Sequence, residues 1–288
     1  MAKKATNPTQ SLKIPQVIIL SGKLLAFISP KLVTKFAAKL FTTPVKHKVP
    51  KRELEMDQKS TKNTFFVPAL HKNITTYEYG KSEHKVLLVH GWSGRGTQLF
   101  KIADELLQNG YSTISFDAPA HGKSEGKTTI MSEFIASILE IEKQYGPFEI
   151  AIGHSLGGMS VLNAIKDGLQ VKKAVVIGSG DIVHDILEEF VSKLGLKTEI
   201  SNRLRDHFEE RYQVKMDDFS AYRAAQKIQI PVLVIHDKDD PEVPAQAGIH
   251  IHEYLQNGTL FLTEGLGHRK ILGNQNVIKK IIDFIKTT

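Results

Sequence analysis

A serine between two glycines is the residue of this chain whose type and surroundings are best suited to chemistry. Ser155 lies in Gly153-His154-Ser155-Leu156-Gly157, after an apolar run and before a helix-compatible pattern of apolar residues. This pattern predicts a tight turn between a strand and a helix, where a hydroxyl stands clear for nucleophilic attack. The free N–H groups of the helix start, including that of Leu156, would face developing negative charge. An idle serine in a glycine-rich turn is the alternative interpretation.

Composition limits what other chemistry the chain can perform. It has 288 residues and no cysteine, which excludes a cysteine nucleophile, disulfides and thiolate metal sites. His250 and His252 would point to different faces of a helix without an acidic cluster nearby, so we expect surface histidines and no metal site. With 41% hydrophobic and 24% charged residues, the chain can bury one large core. We expect one catalytic domain that uses neither a metal nor an organic cofactor.

The elements that would position the serine alternate between apolar runs and helical patterns. Such alternation is typical of a parallel sheet covered by helices on both faces. Besides the run that leads into Ser155, the expected strands are 85–90, 111–116, 174–177, 231–236 and 259–262, and the expected helices are 97–109, 129–144 and 277–285. Residues 181–226 depart from the alternation with charged, mostly helical patterns. We interpret this stretch as a small helical cap above the strand ends that shapes substrate access.

Charge divides the chain into two parts. Residues 1–62 hold 13 Lys or Arg and 3 acidic residues, a net charge of +10, whereas residues 63–288 hold 25 and 28, a net charge of −3. Because the larger part is not basic, nucleic acid is not expected as the substrate. We predict a basic, partly amphipathic N-terminal extension over 1–62 and a catalytic domain over 63–288. Residues 42–63, with prolines and many lysines, are interpreted as a connecting segment.

Residues 12–41 allow two interpretations. The apolar run 12–28 is interrupted by two lysines and lacks a small-residue cleavage site, so it fits neither a transmembrane helix nor a signal peptide well. A basic amphipathic helix begins near Pro30. The segment is predicted either to make peripheral contact with an anionic membrane or to pack on the catalytic domain, and for the amphipathic helix we favour packing. We expect a cytoplasmic protein and leave membrane association open.

Four motifs together resemble the α/β-hydrolase superfamily over about residues 74–288. They are His90-Gly91-Trp92, Gly153-His154-Ser155-Leu156-Gly157, Asp240-Pro241-Glu242-Val243-Pro244 and Gly265-Leu266-Gly267-His268. Their order places serine, aspartate and histidine in the sequence that this superfamily requires. The resemblance implies an α/β-hydrolase fold, with a mostly parallel central sheet flanked by helices and a small helical cap.

The resemblance also implies a catalytic role for each motif. Ser155 would be the nucleophile, His268 the base that takes its proton, and Asp240 the acid that orients His268 and stabilises its charged form. Asp237 and Asp239 are alternatives for the acid. The Asp-x-x-Val-Pro context, which resembles the acid loop of the superfamily, favours Asp240.

Two backbone N–H groups would form the oxyanion hole. By resemblance they belong to Trp92 and Leu156, at the ends of two neighbouring strands. The Trp92 ring could also roof the pocket, and we expect His90 to have a structural role. Residues 117–124 look like a loop in which relatives often have Arg-Gly-His-Gly. Because Pro119 and Ala120 replace the first two residues here, only a structural role for His121 and Gly122 is carried over.

The sequence therefore predicts a serine hydrolase that cleaves an ester or related acyl bond of a small molecule through an acyl-enzyme intermediate. Thioesterase, lipase-like and peptidase activities use the same three residues, so the substrate is not written in the sequence. The alternative from another class is a noncatalytic protein of the same fold that binds a small molecule. Such a protein would have no need for Ser155, Asp240 and His268 together.

Overall fold

The computed structural model describes residues 14–287. Residues 1–13 and Thr288 lie outside the described residues, and with them the first two positions of the apolar run predicted over 12–28. None of the helices in the described range is both long enough and apolar enough to cross a membrane.

Eight strands in the described range form one sheet. They are β1 Thr61–Val67, β2 Lys72–Tyr79, β3 Lys85–Val89, β4 Ser112–Asp117, β5 Ile150–His154, β6 Lys173–Ile177, β7 Val232–Asp237 and β8 Gly258–Thr263. Their spatial order is β1-β2-β4-β3-β5-β6-β7-β8. Strands β3 to β8 run parallel, whereas β1 and β2 form an antiparallel edge. The prediction of a mostly parallel sheet is confirmed.

Helices cover both faces of this sheet. They are α1 Gln16–Ile28, α2 Pro30–Phe41, α3 Leu54–Lys59, α4 Phe100–Gln108, α5 Met131–Tyr145, α6 Leu156–Lys166, α7 Val183–Lys193, α8 Glu199–Tyr212, α9 Ala221–Ala225, α10 Ala245–Tyr254, α11 Gly267–Lys270 and α12 Gln275–Lys286. Successive strand residues point to opposite faces, so Val176 joins one apolar cluster and Ile177 the other. On α12, Ile278, Ile281 and Ile285 recur at helical spacing and pack into the second cluster.

The beginning of the sheet differs from the prediction. The predicted connecting segment over 42–63 contains α3, and the predicted boundary between residues 62 and 63 falls inside β1. Strand β1 could not be predicted from the sequence, because it is an edge strand whose residues are mostly exposed or half-buried. It begins Thr61-Lys62-Asn63-Thr64. Pairing with β2, rather than an apolar run of its own, makes this stretch a strand.

The cap consists of α7, α8, a short 3-10 turn and α9, which agrees with the helical cap predicted over 181–226. Helix α2 packs against this cap. The Phe41 ring lies 5.1 Å from the Phe190 ring and 5.6 Å from the Phe208 ring, measured between centroids. Val33 and Ala37 of α2 are fully buried in the first apolar cluster. The amphipathic helix is therefore packed on the protein, as we favoured.

One of the two histidines of α10 makes a contact that the sequence did not indicate. Asp181, in the loop after β6, is buried and hydrogen-bonds to Nδ1 of His250 at 2.5 Å. His250 is consequently half-buried and paired with Asp181, a contact that the expectation of a surface histidine did not include. The sequence could not show this contact because the two residues are far apart along the chain. Within residues 14–287, no group of three or more side chains is arranged to hold a metal ion.

Candidate active site

Ser155 occupies a strained turn between β5 and α6. Strand β5 ends at His154 and α6 begins at Leu156, and between them Ser155 has φ 55° and ψ −124°. A positive φ is costly for a residue with a side chain, so it persists only where the surroundings impose it. The Ser155 N–H donates a 2.9 Å hydrogen bond to the carbonyl of Ile177 on the neighbouring strand. This bond fixes the turn, and the side chain remains partly exposed.

The glycines around Ser155 are required by close backbone contacts. A Cβ on Gly153 would clash with the carbonyl oxygen of Gly157, and a Cβ on Gly157 would clash with the carbonyl oxygen of Val89 at the end of β3. A Cβ on Gly91 would lie 2.9 Å from the Cβ of Ser155. These contacts bring the loop after β3 directly against the serine turn.

His268 and Asp240 form a buried pair at the same end of the sheet. Nδ1 of His268 lies 2.7 Å from Oδ2 of Asp240, and the Asp240 side chain is 1% exposed. The other carboxylate oxygen, Oδ1, accepts hydrogen bonds from the backbone N–H groups of Glu242 and Val243, at 2.8 and 3.0 Å. The backbone of the Asp-x-x-Val-Pro stretch therefore holds the carboxylate in position for the histidine.

The two alternative acids bind the loop that carries His268 instead of binding His268 itself. Asp237 accepts hydrogen bonds from the N–H of Gly267 at 2.9 Å and from the Thr263 hydroxyl at 2.7 Å. Asp239 accepts one from the N–H of Gly265 at 2.9 Å. Of the three predicted candidates, Asp240 is the one in contact with the His268 ring.

Electrostatics keep Asp240 ionised. Burial alone would raise the pKa of its carboxyl group, but the neighbouring His236 and His268 rings and the Val243 N–H together hold that pKa well below its usual value. Nε2 of His236 lies 3.6 Å from Asp240 Oδ2 and 3.0 Å from the carbonyl of Val243. Sequence reasoning missed His236. Its position four residues before Asp240, at the end of a buried strand, is the signal that could have drawn attention to it.

The His268 ring lies beside the serine turn. Its centroid is 4.6 Å from that of the His154 ring, and Nε2 of His154 lies 2.9 Å from the His268 carbonyl oxygen. A Cβ on Gly178, next to the Ile177 carbonyl that holds Ser155, would lie 3.3 Å from His268 Nδ1. Among the described residues, the Ser155 hydroxyl makes no hydrogen bond to the His268 ring. Catalytic hydrogen bonds of free enzymes are commonly long and shorten when substrate binds.

His154 is a second residue whose role sequence reasoning did not recognise. Its ring is buried and its contact with the His268 carbonyl ties the serine turn to α11. Burial lowers the pKa of His154 well below its usual value, with a smaller contribution from the neighbouring His268. His154 is therefore a neutral residue that links the serine turn to the helix carrying His268.

The two backbone N–H groups predicted for the oxyanion hole are available. Trp92 lies in the loop after β3, which touches Ser155 through Gly91, and Leu156 is the first residue of α6. Among the described residues, neither N–H donates a hydrogen bond within the protein. The Trp92 ring is half-buried and meets the His121 ring edge-on, with 5.2 Å between centroids.

Two further histidines support the loop after β3. His90 approaches the Gly91 carbonyl with Nδ1 at 2.7 Å, and its Nε2 accepts the N–H of Ala118 at 3.0 Å. His121 approaches the Pro119 carbonyl with Nδ1, and its Nε2 accepts the N–H of Ser93, both at 3.0 Å. Burial lowers the pKa of His90 to about 4 and that of His121 to about 3. Both rings are thus neutral, in agreement with the structural roles expected for them.

Comparison with known proteins defines the class of this protein. A model of the alpha/beta hydrolase family matches residues 86–275, which is most of the chain. The matched range contains all four motifs but not strands β1 and β2. The chain therefore belongs to the alpha/beta hydrolase family.

Individual relatives are distant. An uncharacterized hydrolase of Bacillus subtilis, YugF, is 24% identical over 248 residues, which cover 70% of this chain and 89% of that protein. Among solved structures, the esterase EaEST of Exiguobacterium antarcticum has a TM-score of 0.62 at 19% identity and covers 78% of this chain and 100% of its own. A bromoperoxidase of Bacillus anthracis has a TM-score of 0.61 at 18% identity, covering 78% and 99%. At such identities the likeness to the solved structures establishes the fold alone.

Proposed function

We propose that this protein is a serine hydrolase that cleaves an ester or a related acyl bond of a small molecule. The observation that carries the proposal is the buried Asp240–His268 pair beside the strained, partly exposed Ser155. Two unpaired N–H groups of the adjoining loop and helix complete a set that suits acyl transfer. Support also comes from the hydrolase and the esterase to which the chain is similar.

In the proposed reaction, the Ser155 hydroxyl oxygen attacks the acyl carbon while Nε2 of His268 takes the hydroxyl proton. The carbonyl oxygen becomes an oxyanion that accepts hydrogen bonds from the N–H groups of Trp92 and Leu156. His268 then gives the proton to the departing alcohol, which leaves an acyl-enzyme. Water attacks this ester with His268 again as the base, and the acid product leaves with Ser155 restored. Asp240 stabilises the protonated His268 in both steps.

Other assignments share parts of this site. Thioesters and peptides are cleaved by the same arrangement, so the leaving group is part of the proposal. The bromoperoxidase among the similar structures shows how widely the fold is used. A noncatalytic protein that binds a small molecule would keep the pocket, yet it would not need an ionised Asp240 hydrogen-bonded to His268. That pair favours the enzyme.

A fluorophosphonate probe tests the proposal because it forms a covalent bond with an activated serine. We expect the full chain to be labelled at Ser155 and the Ser155→Ala variant to remain unlabelled. Ser192→Ala is a matched control, since Ser192 is exposed on α7, outside the site. An unlabelled wild-type protein that binds small hydrophobic esters without hydrolysing them would support the noncatalytic alternative.

A panel of substrates would then define the bond that is cleaved. It should contain acyl esters of graded chain length, matched thioesters and peptide amides, measured as kcat/KM on one enzyme preparation. We expect esters to be the best class. Faster turnover of thioesters or amides would keep the serine mechanism and correct the proposed substrate. Location in the cytoplasm stays a prediction.

A further inference from the structure

Helix α1 has an apolar face that nothing in the described structure covers. Five large apolar residues recur on one side of the helix and are 61–90% exposed, namely Val17, Leu20, Leu24, Phe27 and Ile28. The opposite side packs on the protein through Leu25, while Gly22 brings α1 close to Phe36 and Leu196. The helix is therefore held in place with its apolar face outward. A contiguous exposed patch of this kind marks an interaction surface.

A further exposed apolar residue follows the junction of α1 and α2. Leu32, near the start of α2, is 46% exposed and lies four residues after Ile28, the last residue of α1. Lys23 and Lys31 are exposed along the same stretch. Residues 1–52 contain 11 Lys or Arg and no acidic residue, since the first acid of the chain is Glu53. The N-terminal part of the chain that carries the apolar face is therefore strongly basic.

A basic cleft adjoins this surface. It lies between α2 and α8, has a volume of about 370 Å³ and is lined by three cationic side chains, Lys35, Lys39 and Arg211, together with His207. No carboxylate is among the described residues that line it. A second depression shares Lys39 and adds Lys46 and Lys127. The cap and the extension therefore present a common positive surface that suits phosphate groups.

The chemistry of the two features selects one partner. A second copy of this chain would bring two strongly positive surfaces together, which opposes association. Nucleic acid would suit the charges but not an exposed row of Leu, Ile and Phe. An anionic bilayer suits both, because apolar side chains enter the boundary of the acyl chains while lysines meet the phosphate headgroups. The 13 residues of α1 are too few to span a bilayer.

We propose that α1 lies in the surface of an anionic membrane, with Val17, Leu20, Leu24, Phe27 and Ile28 inserted and the lysines of α1 and α2 bound to lipid phosphates. The attachment involves residues that the catalytic proposal does not use. It can therefore be tested by binding alone, whether or not the protein hydrolyses esters.

Cosedimentation of the full chain with vesicles tests the apolar face. We expect binding to vesicles that contain phosphatidylglycerol and much weaker binding to pure phosphatidylcholine. The double variant Leu24→Ser, Phe27→Ser should bind anionic vesicles at least about tenfold more weakly, because two large side chains no longer enter the bilayer. Phe66→Ser is the matched control, since Phe66 is 50% exposed on the distant edge strand β1. It should bind as the wild type does.

The charge contribution has its own variant. Lys31→Gln, Lys35→Gln, Lys39→Gln should weaken binding to anionic vesicles and reduce its dependence on salt, because fewer cations remain to be screened. Circular dichroism and thermal unfolding would establish that each variant is folded. Because the three lysines are exposed, their replacement by glutamine tests the proposal even if the Leu24→Ser, Phe27→Ser variant unfolds. Ser155→Ala should bind vesicles like the wild type, which separates attachment from catalysis.

Three results would overturn the proposal. One is a wild-type protein that binds neither kind of vesicle, and another is equal binding by the wild type and by the folded Leu24→Ser, Phe27→Ser variant. The third is a stable dimer in sedimentation velocity that this double variant converts to a monomer, because a second copy would then be what covers the face.

Discussion

Two groups of buried histidines flank the serine turn, and they differ in what their ring nitrogens meet. In the acid group, His236 and His268 contact the carboxylate of Asp240. In the loop group, His90 and His121 each face a backbone carbonyl with Nδ1 and accept a backbone N–H at Nε2. The partners assign the proton of both loop-group rings to Nδ1. Their two nitrogens are fully used, so they serve as neutral spacers.

In the acid group, His268 differs from His90 and His121 in its hydrogen-bond partners. His268 also directs Nδ1 at an acceptor, but that acceptor is a carboxylate, and no described residue hydrogen-bonds to its Nε2. A free nitrogen can take a proton, and a carboxylate stabilises the cation that results. The partners of a buried histidine, rather than its burial, therefore decide whether it can act as a base. Five changes would test this difference between the two groups.

Removal of the Ser155 hydroxyl, on the turn that the two histidine groups flank, should have the largest effect. Ser155→Ala is expected to lower kcat for ester hydrolysis on the order of 10³-fold or more, because the members of such a site act as a unit. The fold should be unchanged, since one hydroxyl is lost from a partly exposed turn. Steady-state kinetics with the Ser192→Ala control would measure the loss. Retention of more than about a tenth of the activity would exclude Ser155 as the nucleophile.

Removal of the charge from the acid group comes next. Asp240→Asn should lower kcat on the order of 10³-fold, because an amide neither stabilises a protonated His268 nor fixes its proton on Nδ1. Asp239→Asn changes a neighbouring acid that binds only the Gly265 N–H, and less than about a tenfold loss is expected. Kinetics of the two variants under one condition would make the comparison. Equal losses would argue against a special role for Asp240.

The loop group, together with the buried His154, should dominate the response of stability to mild acid. His90 and His121 stay neutral in the folded protein because burial lowers their pKa values to about 4 and about 3. The unfolded chain binds protons at these residues below about pH 6.5, so the free energy of unfolding should fall as the pH falls from there to about 4. Each histidine contributes up to about 1.4 kcal/mol per pH unit.

The acid group acts in a different pH range. The folded pKa of Asp240 is lowered, so its stabilising contribution is present above about pH 3.9 and is lost as the pH falls further. Urea unfolding between about pH 7 and 4.5 would isolate the histidines, and His121→Gln should reduce the slope. A free energy of unfolding that is constant over this range would contradict the neutral state assigned to His90 and His121.

A weaker catalytic effect is expected when the loop group is disturbed. His121→Ala leaves the Ser93 N–H without its acceptor and removes the ring that meets Trp92. The loop that carries the Trp92 N–H should become less ordered, with a loss of about tenfold in kcat, below the cost of losing an oxyanion donor outright. His47→Ala, at an exposed histidine, is the control. A loss as large as that of Asp240→Asn would mean that His121 takes part in proton transfer.

The smallest effect concerns the backbone of the same loop. Ala120 has φ 65°, a left-handed conformation that is costly for alanine and open to glycine. Ala120→Gly should therefore stabilise the protein by about 1 kcal/mol, since the relief of strain exceeds the added entropy of the unfolded chain. Chemical denaturation would measure the change, with kcat unaltered. Destabilisation would show that the alanine side chain makes a packing contribution larger than the strain.

Much of the fold followed from local patterns. The buried parallel strands and the long helices could be recognised from the spacing of apolar residues. A strand buried on both faces has a continuous apolar run, whereas a helix buried on one face has apolar residues at helical spacing. The edge strand β1 and the exposed face of α1 could not be recognised in this way. An edge strand such as β1 needs no apolar run. In an apolar helix such as α1, the sequence pattern does not indicate which side packs against the rest of the protein.

Local patterns were sufficient to recognise the order of the serine, aspartate and histidine motifs, because each motif consists of neighbouring residues. They also indicated small residues at positions 153 and 157, although the contact that requires Gly157, with the Val89 carbonyl oxygen of another strand, exists only in the folded sheet. The folded arrangement was needed to establish which aspartate meets His268, how His236 and His154 surround that pair, and why His90 and His121 are neutral. The contacts of Asp240 and His268 arise between the ends of different strands, whereas burial is the main cause of the neutral state of His90 and His121. The free energy of such contacts depends on distance and burial, which residues remote in sequence acquire only when the sheet has formed.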